Sequence, residues 1–152
     1  MKKTTSAEIA TSRKTLAQVI LCLGCCCGRT DKGHPEVPVE WMKHQWRKRA
    51  LAKKVHLTIS GCLGPCDASN IVLVMIGNQP VWLGGLGGSE HYAALADWAS
   101  ACDRAGSAIP LPASLASFRM DRFHGSDART PLFEPTPFSP TPEWLNTITP
   151  LR

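Results

Sequence analysis

The hydrophobic positions of this chain alternate between short apolar runs and one-sided helical stripes. Residues 17–23 (AQVILCL) form a compact apolar run with β-branched members and predict a first strand. Residues 24–38, rich in Gly, Cys and charge, read as a loop. Over residues 39–54, Met42, Trp46 and Ala50 recur at helical spacing beside Trp41 and Gln45. Lys43, Arg47, Lys48 and Lys54 occupy the other faces, and Pro38 suits the start of such a helix. Residues 55–60 (VHLTIS) alternate and predict a second strand. A tight loop over 61–70 leads to residues 71–76 (IVLVMI), a continuous run that predicts a strand buried on both faces. Gly77-Asn78-Gln79 reads as a hairpin turn and residues 80–83 as the return strand. After the connector Gly84-Gly85-Leu86-Gly87-Gly88, Ser89 caps a helix with Tyr92, Leu95, Ala96 and Ala99 on one side, ending by Arg104. The predicted order is β-α-β-β-β-α, an α/β sandwich on a mixed sheet.

The two ends carry a different pattern. Residues 1–15 have no apolar period and are expected to be disordered. Eight of the twelve prolines lie between Pro110 and Pro150, and five of those follow Thr or Ser. Backbone before proline is pushed out of the helical region, so residues 106–152 predict a largely extended Pro-rich tail with one short helix over 113–118. Phe133, Phe138 and Trp144 are the side chains able to pin it. The domain itself is expected over residues 16–105, in an order close to the thioredoxin arrangement.

Composition narrows the class. With 152 residues and 43% apolar content, one core can stand without covalent staples. The longest apolar run has six residues against the roughly 20 that a membrane span needs. No apolar stretch follows the N-terminal lysines, so no secretory signal is read and a cytoplasmic location is expected. The net charge is +5, and Arg29 to Lys54 carries eight Lys/Arg against three Asp/Glu. Such a patch suits an acidic protein partner, an anion, or a solvated helix face.

Seven cysteines are many for this length, and four crowd into residues 22–27. In a chain without an export signal, such crowding points to metal binding or redox chemistry rather than disulfides. Cys62-Leu63-Gly64-Pro65-Cys66 follows the second predicted strand, and Cys22-Leu23-Gly24-Cys25-Cys26-Cys27-Gly28 ends the first. If those strands are parallel neighbours, both groups leave the same edge of the sheet and four thiolates can converge. Soft sulfur donors select zinc, copper(I) or an iron–sulfur cluster. Four residues separate Cys22 from Cys27 and three separate Cys62 from Cys66, loops wide enough for a binuclear cluster.

Cys-x4-Cys, thirty-four residues, then Cys-x3-Cys, with Ser60-Gly61-Cys62-Leu63-Gly64-Pro65-Cys66 before an apolar strand, resembles the thioredoxin-like [2Fe-2S] ferredoxins. That family includes the Shethna-type ferredoxins and the small ferredoxin subunit of respiratory complex I. The resemblance covers about residues 17–104. It implies a [2Fe-2S] cluster on Cys22, Cys27, Cys62 and Cys66 and a one-electron carrier rather than an enzyme. The Cys-Cys-Cys-Gly-Arg run departs from the family pattern and leaves Cys25 or Cys26 as substitute ligands. Chains with this run also look like small ferredoxin-like proteins found beside cobalt and cobalamin metabolism. An acidic redox partner is expected along the basic helix from Lys43 to Lys54, and Arg29 and Lys32 would favour a reduced cluster. A homodimer is left open.

Other readings remain beside this one. A thiolate module for zinc, copper or cobalt handling would use the surplus thiols of Cys25 and Cys26. Cys22-Leu23-Gly24-Cys25 could be a redox dithiol, but Gly28, Gly33 and Pro35 leave no helix start to activate it. The basic helix alone suggests nucleic acid, without a zinc-finger or helix-turn-helix pattern to support it. Cys102 reads as a buried thiol, His34 as a residue at the edge of the cysteine loop, and His56 as a strand residue. The Gly84–Gly88 loop lacks both phosphate-loop signatures.

Overall fold

Four strands form one sheet: β1 (Ala17–Cys22), β2 (Val55–Ser60), β3 (Val72–Ile76) and β4 (Gln79–Leu83). The structure is a computed structural model and describes residues 9–125. The strand order is β2-β1-β3-β4, with β1 and β2 parallel and the other pairs antiparallel. Helices α1 (Val39–Lys48) and α2 (Ser89–Ala105) complete the mixed α/β architecture expected from the sequence, one compatible with a thioredoxin-like fold. Among the described residues, no helix is long and apolar enough to cross a membrane.

Register explains the core. Val19 pairs with Leu57 and Val74, Leu21 with Ile59 and Val72, and Val74 with Val81. The strand period of two puts all of these on one face. Met42 and Trp46 of α1, and Tyr92, Leu95, Trp98 and Cys102 of α2, pack against that same face. Each fully buried Leu or Val there contributes about 2 kcal/mol. Because both helices cover one face, β3 is not buried on both. Val72 and Val74 are buried, while Leu73 and Met75 on the reverse face are half-buried.

The first helix stops at Lys48, short of the expected Lys54. Ala50 adopts a left-handed φ of 51°, and the Leu51 amide donates back to the Trp46 carbonyl at 3.0 Å. This turn lets Leu51 and Val55 enter the core, and burial of those two side chains outweighs another helical turn. Trp46 Nε1 donates to the Val55 carbonyl at 2.7 Å and closes the corner. Arg49 joins the helices through Asp97 at 2.8 Å and Ser100 Oγ at 3.2 Å. At the start of α2 the N-cap is Gly88 rather than within-helix Ser89, and His91 Nδ1 accepts from the Gly88 amide at 3.1 Å.

The chain divides into two units, Met1–Arg122 and Phe123–Arg152. Within the first, the segment after Gly106 lies along β4. Trp98 Nε1 donates to the Ile109 carbonyl, the expected short helix forms at Ala113–Phe118 in 3-10 geometry, and Leu115 is buried. Gly84 donates to Phe118 and Met120 to Trp82, each at 2.9 Å. A β-carbon at Gly84 would sit 2.7 Å from Met120 Sδ and 2.9 Å from the Ala68 carbonyl, so only glycine permits this approach. Phe133, Phe138 and Trp144 lie outside the described residues.

Asn70 is fully buried, with three side-chain hydrogen bonds. Its Oδ1 accepts from the Gly28 amide at 2.7 Å, and Nδ2 donates to the Pro35 carbonyl at 2.9 Å and the Leu86 carbonyl at 3.1 Å. Replacing Asn70 by Ala strands one buried backbone group, the Leu86 carbonyl, and two part-buried ones, at Gly28 and Pro35, and removes a fully buried side chain. Asn70→Ala is expected to lose about 3 kcal/mol in urea unfolding, on the scale of buried unsatisfied polar groups. A loss no larger than that of Leu73→Ala would show the contacts to be dispensable.

Candidate metal centre

Strand alternation decides where each cysteine of the first loop points. Leu21 enters the helix-covered core, so Cys22 faces the reverse side of the sheet. There Cys22, Cys27 and Ile71 form a second small core flanked by Leu63, Ala68, Trp82 and Met120. Gly24 and Cys27 exchange two backbone hydrogen bonds of 3.0 Å, which closes a tight turn between them. Cys25 and Cys26 occupy the tip, and Cys25 has a left-handed φ of 54°. That conformation costs an L-residue of order 1 kcal/mol and is found at functional turns.

The second loop leaves β2 beside the first, because β1 and β2 are parallel neighbours with Cys22 paired to Ser60. Cys62 is exposed, and Cys66 opens a 3-10 turn at Cys66–Ala68. Cys62 Sγ lies 3.3 Å from Cys66 Sγ, which lies 3.5 Å from Cys25 Sγ. The sulfurs of Cys25, Cys26 and Cys66 all fall within 4.8 Å of one another. Thiolates on one tetrahedral zinc would stand about 3.8 Å apart at ordinary Zn–S lengths. The cysteine group can therefore hold a metal ion, and its all-sulfur donors suit a soft one.

Of the residues picked out from sequence, Cys62 and Cys66 meet at this mouth together with the two substitutes, Cys25 and Cys26. Cys22 and Cys27 are buried behind them, each 2% exposed, and Cys27 Sγ accepts from the Ile71 amide at 3.4 Å. Burial is the main cause that pushes the Cys22 thiol up to about 11, with Cys27 adding to it. The Cys66 thiol is pushed up to about 12, chiefly by its hydrogen bond with Cys62 and then by that with Cys25. Cys25 moves the other way: hydrogen bonds from Cys66 and Cys26 stabilise its thiolate and lower its pKa. Cys102 is buried in the main core, far from this group in the fold, and burial raises its pKa.

Charge around the mouth is unevenly available. Arg29 is paired with Asp31 at 2.6 Å, which offsets its charge. Lys32 instead donates from Nζ to the Cys25 carbonyl at 2.8 Å. The Arg122 guanidinium lies 5.6 Å from the Trp82 ring centroid. It also lies against Gly64, where an added β-carbon would stand 2.6 Å from Nη2. Nothing in sequence spacing announces Arg122, since the β4-flanking segment brings it back across the fold. Asn70 was more accessible to inspection, as a lone amide at the head of an apolar run. His34 Nδ1 is 2.9 Å from Ser69 Oγ and ties the two loops together.

The glycine-rich connector is structural. The amides of Gly84, Gly85 and Leu86 donate to the carbonyls of Phe118, Ala68 and Asn70. Those of Gly87 and Gly88 donate to His91 Nδ1. All five are spent, which leaves no cradle for an anion. No family model and no curated protein matches the chain.

In the metal-free protein, Cys25 is expected to be the first thiol alkylated by iodoacetamide near pH 8, because a lowered pKa leaves more thiolate. Cys22 and Cys102, with raised pKa values and little exposure, should react last. Peptide mapping after brief labelling reads this order, and early modification of Cys22 would contradict the geometry.

Proposed function

We propose that this chain is a thioredoxin-like [2Fe-2S] ferredoxin that carries single electrons between protein partners. The observation that carries the reading is the meeting of two cysteine loops at one end of the sheet, with the Cys66 sulfur 3.3 Å from Cys62 within its own loop and 3.5 Å from Cys25 of the other. Two thiolates from each loop match the two-plus-two ligand division of a binuclear cluster. Cys25, Cys26, Cys62 and Cys66 are the set that needs least rearrangement. In the set implied by the family resemblance, Cys22, Cys27, Cys62 and Cys66, the first two would have to turn out of their small core.

When bound, such a cluster supplies one-electron chemistry with no bond to a substrate. The chain supplies the rest. The thiolates hold it, Lys32 and Arg122 set positive charge beside it, and Leu63, Trp82 and Met120 keep water from its inner side. A partner meets the exposed tip at Cys25 and Leu23. An acidic partner is favoured by Lys32. The Lys48–Lys54 end of the basic segment stands about 17 Å of strand away from the cysteines.

One observation favours a second reading. Three sulfurs within 4.8 Å also suit a single thiophilic ion, as in a zinc or copper(I) handling module. Iron and acid-labile sulfide measured on anaerobically purified protein separate the two. Roughly two of each per chain, with visible absorption, is the expected result. A colourless protein holding one zinc or copper that resists cluster reconstitution would establish the second reading instead. Cys66→Ser should abolish the cluster in either ligand assignment, whereas Cys25→Ser should do so only if the tip set ligates.

The electrostatics yield a separate expectation. Lys32→Glu should lower the midpoint potential, since reduction adds negative charge beside the new carboxylate. Arg29→Gln should shift it less, because Asp31 already neutralises that guanidinium. Redox titration at low salt checks the order.

A further inference from the structure

The end of the sheet opposite the cysteines contains a cavity that the electron-carrier reading does not use. Its volume is 760 Å³, within the range of small-molecule sites. It opens where β1 begins and where the α1–β2 turn enters β2. Arg13, Lys14 and Lys53 line it, with Ser12, Thr15 and His56 beside them. Among the described residues, no carboxylate lines it. Among the described residues, none of the three cations has an ion-pair partner; the pairs formed are Arg29–Asp31, Lys43–Glu40, Arg49–Asp97 and His91–Glu90.

Among the described residues, three exposed positive side chains without an ion-pair partner thus border one concavity, and their summed field draws an anion. Arg29, Lys43 and Arg49, by contrast, are each paired with a carboxylate, on Asp31, Glu40 and Asp97. The wall is also anchored. Leu16 donates to the Lys54 carbonyl at 2.8 Å, and Gln18 Nε2 donates to Thr58 Oγ1 at 2.8 Å. The strand that follows Arg13 and Lys14 is thereby fixed against the strand that follows Lys53.

We propose that this cavity binds a small polyanion through a di- or triphosphate group. Charged forks and ammonium groups hydrogen-bond phosphoryl oxygens strongly, and hydroxyl and imidazole groups fill the remaining acceptors. Three cations around one concavity match the several charges of a di- or triphosphate better than the fewer charges of a single phosphate. No aromatic ring lines the cavity apart from the His56 imidazole, so recognition rests on the phosphate group. About 17 Å of strand separates this site from the cysteines, so it stands whether or not those thiols hold a cluster.

Calorimetric titration of the full chain with inorganic triphosphate at moderate salt tests the proposal. Saturable one-to-one binding is expected, weakening as salt rises. The double variant Arg13→Glu/Lys53→Glu should weaken it at least about ten-fold, a loss equivalent to about 1.4 kcal/mol. Lys43→Glu, a basic position outside the cavity, should leave it unchanged, and circular dichroism confirms that each variant folds. Cys66→Ser should also bind as the parent does, which separates this site from the metal centre. Absence of saturable binding would overturn the proposal. So would equal weakening by Lys43→Glu, loss in Cys66→Ser, or binding of single-stranded oligonucleotide but not triphosphate.

Discussion

The buried carboxamide of Asn70 is the constraint on which the rest of this structure turns. It lies between the 3-10 turn opened by Cys66 and the start of β3, and it reaches three separate strands of loop. Gly28, which it holds, directly follows Cys27; Pro35 precedes α1; Leu86 precedes α2. A single side chain thus fixes the exit of the first cysteine loop against the exit of the second. It can do so because an amide offers both donors and an acceptor, and because its own carboxamide, fully buried, has only these partners to turn to.

Around that constraint the sheet divides the molecule into two faces and two ends. The helix-covered face of the sheet holds the main core and gives the fold its stability. The reverse face holds a small second core around Cys22 and Cys27, completed by Trp82 and Met120. At the loop end of β1 and β2 the thiols gather with little charge beside them except Lys32 and Arg122. At the other end, Arg13, Lys14 and Lys53 border a cavity that no acid among the described residues lines. The cysteine group and the cation-lined cavity thus stand a strand's length apart, roughly 17 Å.

The position of the thiols shows how local geometry sorts a crowded motif. Cys22 and Cys27 are the legs of a turn and Cys25 and Cys26 its tip, because Gly24 and Cys27 bond to each other. The legs go inward and the tip outward. An assignment by spacing alone favours the legs, since their separation matches a wide cluster loop. The folded turn instead presents the tip to Cys62 and Cys66. The left-handed Cys25 is part of the cost of that presentation.

Much of this was legible in the chain. Apolar runs and β-branched residues determined the four strands, helical spacing determined where α1 and α2 begin, and the adjacency of both cysteine groups to strand ends predicted their convergence. These are local signals: the side-chain period of two or 3.6 residues is set by backbone geometry alone. The tertiary structure decided the rest. It ended α1 at Lys48 so that Leu51 and Val55 could be buried, left the reverse face of β3 half-buried, and laid Ala113–Phe118 along β4. It brought Arg122 to Gly64 and gave Asn70 its three partners. No local pattern encodes these, because each depends on contacts between segments far apart in sequence whose burial and hydrogen bonding exist only once the sheet has formed.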